Sequence, residues 1–271
     1  MNEPMVLAIT LAGYLAIGAF AGLLAGLFGI GGGLIIVPLL LLAFEMQGVS
    51  ADVSMHLAIG TSLATIMLTS MASIRAHHAH RAVRWDLFKP MAAGIVLGAV
   101  LGVFTASTLS GAALKLIIGL FALAVAAKML TGFQPAPTRV VPGWPGLTGA
   151  GGFIGWGSAI FGIGGGTLTV PWLVWHNVRM QEAVATSAAC GLPIAIAGAF
   201  TNIIAGWNEP DLPQYALGFV YLPAFFGIVL TSMVTAKAGA RLAHRLPPQL
   251  LSRLFACLLI LVGIRLLTQS F

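Results

Sequence analysis

The chain has 271 residues, of which 59% are hydrophobic and 7% are charged, and its mean hydropathy is +1.00. This composition excludes an ordinary soluble domain, in which about a quarter of the residues carry a charge. The net charge of +6 does not indicate nucleic acid binding, because the basic residues lie in short groups between apolar segments. Lipid is therefore the expected solvent, and the chain has room for roughly eight to ten membrane segments.

Apolar segments follow one another along the chain. In the first half they are predicted at 5–28, 33–45, 53–74, 87–108 and 112–130, and in the second half at 146–161, 167–178, 182–206, 214–236 and 248–268. Residues 131–145 contain four prolines and two glycines, which cannot continue a helix. The sequence thus predicts an all-α polytopic membrane protein with repeat 1 at 1–130, a cytoplasmic linker at 131–145 and repeat 2 at 146–271.

The two halves share a glycine motif. Phe-Gly-Ile-Gly-Gly-Gly at 28–33 recurs at 161–166, and both copies continue through apolar residues to Val-Pro. Repeats whose hydrophobic segments are interrupted at corresponding positions are typical of secondary transporters, in which the interruptions mark the binding site.

The basic residues indicate how the repeats are oriented. One group lies between the third and fourth segments of repeat 1 and the other between the fourth and fifth segments of repeat 2: Arg75, Arg81, Arg84 and Lys89, then Lys237, Arg241, Arg245 and Arg253. Cytoplasmic loops collect Lys and Arg, so equivalent loops of the two repeats must lie on opposite sides. We therefore expect inverted repeats, with both termini on the periplasmic side.

The second segment of each repeat, at 33–45 and 167–178, is unusually short. A helix of this length falls well below the roughly 30 Å of a hydrocarbon core. Each is predicted to be either the half-helix of a re-entrant hairpin or a short crossing.

Both glycine motifs are expected to break their helices. Glycine destabilises a helix interior by roughly 1 kcal/mol relative to alanine, and broken backbone in a membrane is tolerated only inside protein or beside a wet cavity. The helix that restarts presents free N–H groups and the positive end of its dipole. The motifs therefore predict an anion site built from the amides of Gly31, Gly32, Gly33, Gly164, Gly165 and Gly166.

Polar side chains at matching positions are further candidates for the site. Predicted hydroxyl donors to the substrate are Thr61, Ser62, Thr186 and Ser187. The alternative is that these hydroxyls bond the preceding turn of their own helices.

Three more residues are candidates for a gate or for coupling. His77 and Asn202 lie sixteen residues beyond Thr61 and Thr186, respectively, and are gate or surface candidates. His56 is a candidate for proton coupling or for an interfacial position.

Other kinds of site are not indicated. His77, His78 and His80 lie among arginines, which repel metal ions, and no carboxylate occurs in the middle of an apolar segment. We predict no catalytic residue, no metal and no cofactor, and the lack of a mid-membrane acid argues against a cation pathway.

With these motifs the chain resembles the sulfite exporter TauE/SafE family of membrane transporters. The resemblance is carried by 28–38 and 161–171, which lead to Val-Pro, and by the Ala-x-x-Thr-Ser elements at 58–62 and 183–187. It spans nearly the whole chain. It implies movement of small sulfur-containing anions such as sulfite, sulfoacetate, thiosulfate or other sulfonates across a bacterial inner membrane.

The resulting hypothesis is a secondary transporter, with export as the expected direction, that works by alternating access. Alternatives are an anion channel, an uptake permease of the same family and a substrate-free membrane assembly subunit. An enzyme is disfavoured because no nucleophile–base pair is evident. The expected partners are a small anion and the lipid bilayer, without nucleic acid, and the sequence leaves the anion, the coupling ion and the oligomeric state open.

Overall fold

The computed structural model describes residues 3–28, 33–79, 82–132, 139–243 and 247–269. Within these ranges the chain forms ten α-helices and one two-stranded β-hairpin. The helices of repeat 1 are α1 (Glu3–Phe28), α2 (Gly33–Met46), α3 (Ala51–Ala79), α4 (Trp85–Ser107) and α5 (Gly111–Thr131). Those of repeat 2 are α6 (Trp144–Phe161), α7 (Gly166–Trp175), α8 (Met180–Ala205), α9 (Leu222–Ala243) and α10 (Pro248–Thr268), and the strands are β1 (Ala216–Leu217) and β2 (Val220–Tyr221).

Local sequence signals set several helix boundaries. Ser110 caps α5 by accepting a hydrogen bond from the amide of Ala113 at 3.2 Å. The same helix ends at Gly132, whose φ of 64° is left-handed. Pro145 lies in the first turn of α6, where the missing N–H has no intrahelical partner to lose.

Four described helices are long and apolar enough to cross a membrane: Ala51–Arg75 within α3, α4, α5 and α8. Shorter apolar helices occur in α1, α2 and α9. Together with the helical architecture, these spans confirm the predicted all-α polytopic membrane protein.

The largest difference from the prediction lies before α9. The apolar run was expected to be helical from 214, but α9 begins at Leu222 because residues 216–221 form the β-hairpin. Tyr215 and Gly218 have φ values of 69° and 53°, which a helix does not allow. A smaller difference concerns the segment predicted at 53–74, because α3 continues to Ala79.

Helix pairing relates the two repeats by an approximate two-fold axis. The fourth helix of each repeat packs on the first helix of the other, α4 on α6 and α9 on α1, while α3 packs on α8 and α5 on α10. The α3–α8 pair is antiparallel, because Gly60 lies beside Asn202 and Ser70 lies beside Gly191. The α5–α10 pair is antiparallel too, because Gly119 lies beside Gly263 and Met129 beside Ser252. An antiparallel arrangement of equivalent helices is what inverted repeats require.

Glycines allow the closest of these contacts. A Cβ on Gly98 of α4 would clash with the carbonyl group of Gly152 in α6, and one on Gly22 of α1 would clash with the backbone of Ser232 in α9. Small residues at membrane helix contacts let the backbones approach. The sequence predicts this packing role for Gly22, Gly26, Gly98 and Gly102.

Ion pairs mark the two ends of the helix bundle. At one end, called the Glu45 end, the carboxylate at the end of α2 meets Lys115 of α5 and Arg265 of α10, each at 3.3 Å. At the other, the Arg84 end, the start of α4 meets Glu182 at the start of α8 at 3.5 Å. The α4–α5 connection therefore lies at the Glu45 end and the α3–α4 connection at the Arg84 end.

Candidate functional site

The start of α2 meets the α6–α7 glycine break inside the bundle. A Cβ placed on Gly33, at the start of α2, would lie 2.7 Å from the carbonyl oxygen of Gly162 and 2.8 Å from the Cα of Ile163. Gly31 and Gly32, which the sequence analysis assigned to the site, lie outside the described residues. Gly33 alone is enough to place the start of α2 against the break between α6 and α7.

The α6–α7 break is a tight turn. Gly162 adopts a φ of 63°, and the amides of Gly162 and Ile163 fold back onto the carbonyls of Ala159 and Ser158 at 3.3 and 3.0 Å. This is a glycine cap of the kind that ends many helices. α7 then starts after Gly165 and ends at Trp175, a length of about 15 Å.

α7 is a half-helix rather than a crossing. Gly165 packs against Ser187 and Gly191, which lie in the first half of α8, and α7 ends shortly before α8 begins. α6 and α7 therefore form a re-entrant hairpin that enters from the Arg84 end.

The start of α7 presents unused amide groups. The first N–H groups of any α-helix lack intrahelical acceptors, and the first amide of this helix with an acceptor is that of Thr169, bonded to the carbonyl of Gly165 at 2.8 Å. Among the described residues, none accepts a hydrogen bond from the amides of Gly164, Gly165 or Gly166. Because the dipole makes this helix end positive, the break is suited to an anion.

The glycines of this break are fitted to their surroundings. A Cβ on Gly165 would lie 2.7 Å from the carbonyl oxygen of Ser187 and 3.0 Å from the amide of Gly191. The Cγ2 methyl of Ile66 lies 3.4 Å from the point where a Cβ on Gly164 would be. A side chain at 165 would have to displace main chain, which cannot move as a flexible side chain can.

The serines of the two hydroxyl pairs lie at the break. Ser62 donates from its Oγ to the carbonyl oxygen of Gly162 at 2.8 Å, which satisfies an acceptor freed by the turn. Ser187 donates to the carbonyl of Val184 in its own helix at 2.8 Å, which is the alternative given for these hydroxyls in the sequence analysis. The carbonyl oxygen of Ser187 faces Gly165.

The threonines of the pairs hold the repeats together. The Oγ1 of Thr61 in α3 accepts from the amide of Tyr221, just before α9, at 2.9 Å. The Oγ1 of Thr186 in α8 accepts from the amide of Arg84, just before α4, at 3.0 Å. Both threonines are fully buried. Each therefore caps the fourth helix of the opposite repeat, and its oxygen is already used by a main-chain donor.

His56 lies toward the Glu45 end of α3, one turn before Ile59, whose Cα is 3.1 Å from the Cβ position of Gly162 at the break. Its Nδ1 is 3.1 Å from the carbonyl oxygen of Asp52 and its Nε2 is 3.1 Å from that of Ala106, while the ring stacks on Phe219 with centroids 5.1 Å apart. The ring borders a cavity of about 210 Å³ lined also by Asp52, Val53, Ser107, Leu109, Ser110, Gly111, Glu209 and Phe219. His56 is thus a candidate residue that borders an open cavity.

The two remaining gate candidates differ. Asn202 is buried rather than at the surface: its Cβ lies 3.1 Å from the Cβ position of Gly60, and its carbonyl oxygen accepts from the amide of Phe219 at 3.1 Å. Because α3 and α8 are antiparallel, Asn202 lies near Thr61 of α3 and not near Thr186 of its own helix. His77 belongs to the last turns of α3, and its side chain lies outside the described part.

Sequence reasoning missed four hydroxyls near the break. The side-chain oxygens of Ser158, Thr167 and Thr169 are buried and have no hydrogen-bond partner in the described structure. Ser70 of α3 is 8% exposed, and its Oγ points at Gly191 beside the break. A search for matching polar residues in the two repeats passes over them, because their counterparts are the apolar residues Ala25, Leu34, Ile36 and Ala195.

Charged side chains stay at the ends of the bundle. Arg84 pairs with Asp86 at 2.6 Å and with Glu182 at 3.5 Å, and the hydrogen bond that its guanidinium donates to Asp86 is the main cause of its raised pKa. Within the described residues there is no group of three His, Cys, Asp or Glu side chains that could hold a metal ion.

Comparison with known proteins gives consistent matches. The family model described as "Sulfite exporter TauE/SafE" matches residues 14–266. A probable membrane transporter protein of Haemophilus influenzae is 37% identical over 93% of this chain and 96% of its own length. One of Methanocaldococcus jannaschii is 26% identical, with 93% of both chains covered.

A more distant relative is the probable inner membrane transporter protein TsaS of Comamonas testosteroni, which is 26% identical over 69% of this chain and 73% of its own. No solved structure matches. The relatives' names agree with the predictions of a transporter and of a protein that is not an enzyme.

Proposed function

Because the chain belongs to the sulfite exporter TauE/SafE family, and so is a multi-pass membrane transporter, we propose that it is a secondary transporter of small sulfur-containing anions. Candidate substrates are sulfite, sulfoacetate and other sulfonates, and export is the proposed direction. The proposed location is a bacterial inner membrane, with the Glu45 end and both termini on the periplasmic side and the linker 131–145 on the cytoplasmic side.

One observation carries this proposal: the start of α2 abuts the α6–α7 break. Two helix N-termini from opposite repeats thereby converge at one place inside an apolar bundle, with Gly33 against Gly162. Together they supply amide donors and positive dipole ends where an anion loses its hydration. The proposed ligands are the amides of the two glycine motifs, supported by Ser62 and Ser187.

Transport follows from the burial of this site. Gly33, Gly162, Ile163, Gly164 and Gly165 are all buried, so the anion can enter or leave only when the packing around the break opens. Opening alternately toward the two ends, by movement of one repeat (1–130) against the other (146–271), is the proposed mechanism.

Reconstitution in proteoliposomes tests the proposal. We expect uptake of labelled sulfite or ethanesulfonate that saturates with concentration and is accelerated by unlabelled anion on the other side. An anion channel predicts flux without such counterflow, and an assembly subunit predicts no flux above that of protein-free vesicles. Thermal stabilisation by the transported anion, with chloride as the control, reports binding in the same preparation.

A further inference from the structure

The surroundings of the α6–α7 break limit the charge that it can compensate. The sequences of α2, α6, α7 and α8 contain neither Lys nor Arg, and α3 contains only Arg75, which is exposed near its end. No Lys or Arg side chain of these helices is therefore available as a counter-ion at the break, and both ring nitrogens of His56 in α3 face main-chain carbonyl oxygens at the Glu45 end. What remains is the dipole of two helix N-termini, each equivalent to roughly half a positive charge.

This arrangement compensates one negative charge. The cost of removing an ion from water grows steeply with its charge, and an uncompensated charge inside a low-dielectric bundle is strongly unfavourable. Two half-charges balance a monoanion and leave a dianion with one unpaired charge. Charge, rather than size alone, should therefore decide which sulfur-containing anions bind.

Hydroxyl groups complete the binding site on the α7 side. The Oγ of Ser70 and the amide nitrogen of Gly165 lie 3.1 and 3.4 Å from a common point, the Cβ position of Gly191. Ser70 is 8% exposed and makes no hydrogen bond to any described residue. Its free donor is thus held beside a free amide, and the glycine at 191 leaves the space between them without a side chain.

Thr169 supplies a second donor. It is fully buried, and its Oγ1 has no partner among the described side chains and backbone. Because side chains of an α-helix lean toward its N-terminus, this hydroxyl is directed over the preceding turn, where Gly165 and Gly166 carry no side chain.

The equivalent position in repeat 1 is closed by an aliphatic side chain. Ile66 corresponds to Gly191, and its Cδ1 and Cγ2 methyls lie 2.8 and 3.4 Å from the Cβ positions of Gly33 and Gly164. The counterparts of Ser70 and Thr169, Ala195 and Ile36, are apolar as well. One side of the site is therefore polar and the other apolar.

We propose that the site selects monoanions that carry one oxyanion group and a short apolar remainder, with the oxyanion bound by the α7 amides, Ser70 and Thr169 and the remainder against Ile66. This inference rests on the proposed function and narrows it: alkanesulfonates and bisulfite are ligands, while sulfoacetate, which carries a second negative charge, is not.

Matched ligands test the charge rule. Thermal stabilisation and counterflow are measured with the purified wild-type protein at pH 7.5, using ethanesulfonate, sulfoacetate and methyl sulfoacetate. We expect half-saturation by ethanesulfonate at a concentration at least tenfold lower than by sulfoacetate, and recovery with the methyl ester, which removes the second charge. Equal or tighter binding of sulfoacetate overturns this inference but leaves the transporter proposal intact, whereas no response to any of the three anions overturns both.

Substitutions test the two hydroxyls. Thr169→Val and Ser70→Ala should each raise the half-saturating ethanesulfonate concentration at least about tenfold, the effect of losing one hydrogen bond to a charged group. The matched controls are Thr201→Val and Ser54→Ala, because the hydroxyls of Thr201 and Ser54 donate to carbonyls of their own helices. Both control variants should leave the half-saturating concentration unchanged. Wild-type affinity in either test variant overturns the assignment of that residue, and the two variants are independent should one fail to fold.

Discussion

At the scale of single residues, equivalent positions in the two repeats predicted which hydroxyl groups make important contacts, but not which groups they contact. Thr61 and Thr186 stand at equivalent points of the repeats, and both bond the opposite repeat, but to main-chain amides that precede α9 and α4. A sequence cannot show this, because the bond depends on the register between helices that are far apart in the chain. Conversely, Ser70 and Thr169 have no polar counterpart in the other repeat, so a search for matching residues passes over them.

The caps predict a defect in stability rather than in transport. Thr61→Val keeps the shape of the side chain but leaves the buried amide of Tyr221 without its acceptor, which costs about 1–3 kcal/mol. We expect a lower Tm, with counterflow per folded molecule preserved at a temperature below unfolding. Thr201→Val should leave the Tm unchanged by comparison. A Thr61→Val protein with normal Tm and lost flux would instead give this hydroxyl a direct role with the substrate.

At the scale of elements, the glycine motif, the segment lengths and the distribution of Lys and Arg were sufficient to predict the inverted architecture. The observed α3–α8 and α5–α10 pairs are antiparallel, as that orientation requires. The β-hairpin before α9 was missed because Ala216, Val220 and Tyr221 are as apolar as the helix that follows, and the left-handed φ of Tyr215 has no sequence signal. That α7 is a half-helix was left open by charge and is decided by its packing on α8.

The contact between α3 and the end of α4 is the proposed coupling element. Both ring nitrogens of His56 face carbonyl oxygens, those of Asp52 and Ala106, and only the protonated ring has two donors for them. The other titratable groups of this cavity are the carboxylates of Asp52 and Glu209. Protonation of His56 should therefore tie α4 to α3 at the Glu45 end, and loss of the proton should release one of these bonds.

This coupling is measured as flux driven by an imposed pH gradient in proteoliposomes. We expect a pH gradient to change the rate of wild-type transport severalfold and to have no effect on His56→Ala, whose flux without a gradient is retained. Thr108→Val, a change at an exposed residue of the neighbouring loop, is the control. A gradient effect in His56→Ala equal to that of the wild type rejects the role of this residue.

At the scale of the whole molecule, the architecture places two interrupted helices where neither could be stable alone. A break in a membrane helix exposes backbone groups that lipid cannot satisfy. At the α6–α7 break the opposite repeat covers them, because Ser62 donates a hydrogen bond to Gly162 and Gly33 packs against Ile163. The meeting of the breaks follows from the inverted duplication, which brings equivalent points of the two repeats to the axis. The side chains that line the site do not follow from the duplication, because the equivalent positions 66 and 191 hold different residues, Ile66 and Gly191.

The central claim is that the break itself binds the transported anion, and counterflow in Gly165→Leu measures this most directly. Gly149→Leu is the matched control, because it makes the same substitution on the preceding helix at an exposed position with open space around its Cβ. The account predicts at least a tenfold loss of saturable flux for Gly165→Leu and wild-type flux for Gly149→Leu, with both proteins folded as judged by monodispersity and thermal unfolding. Full saturable flux in a folded Gly165→Leu protein would contradict it.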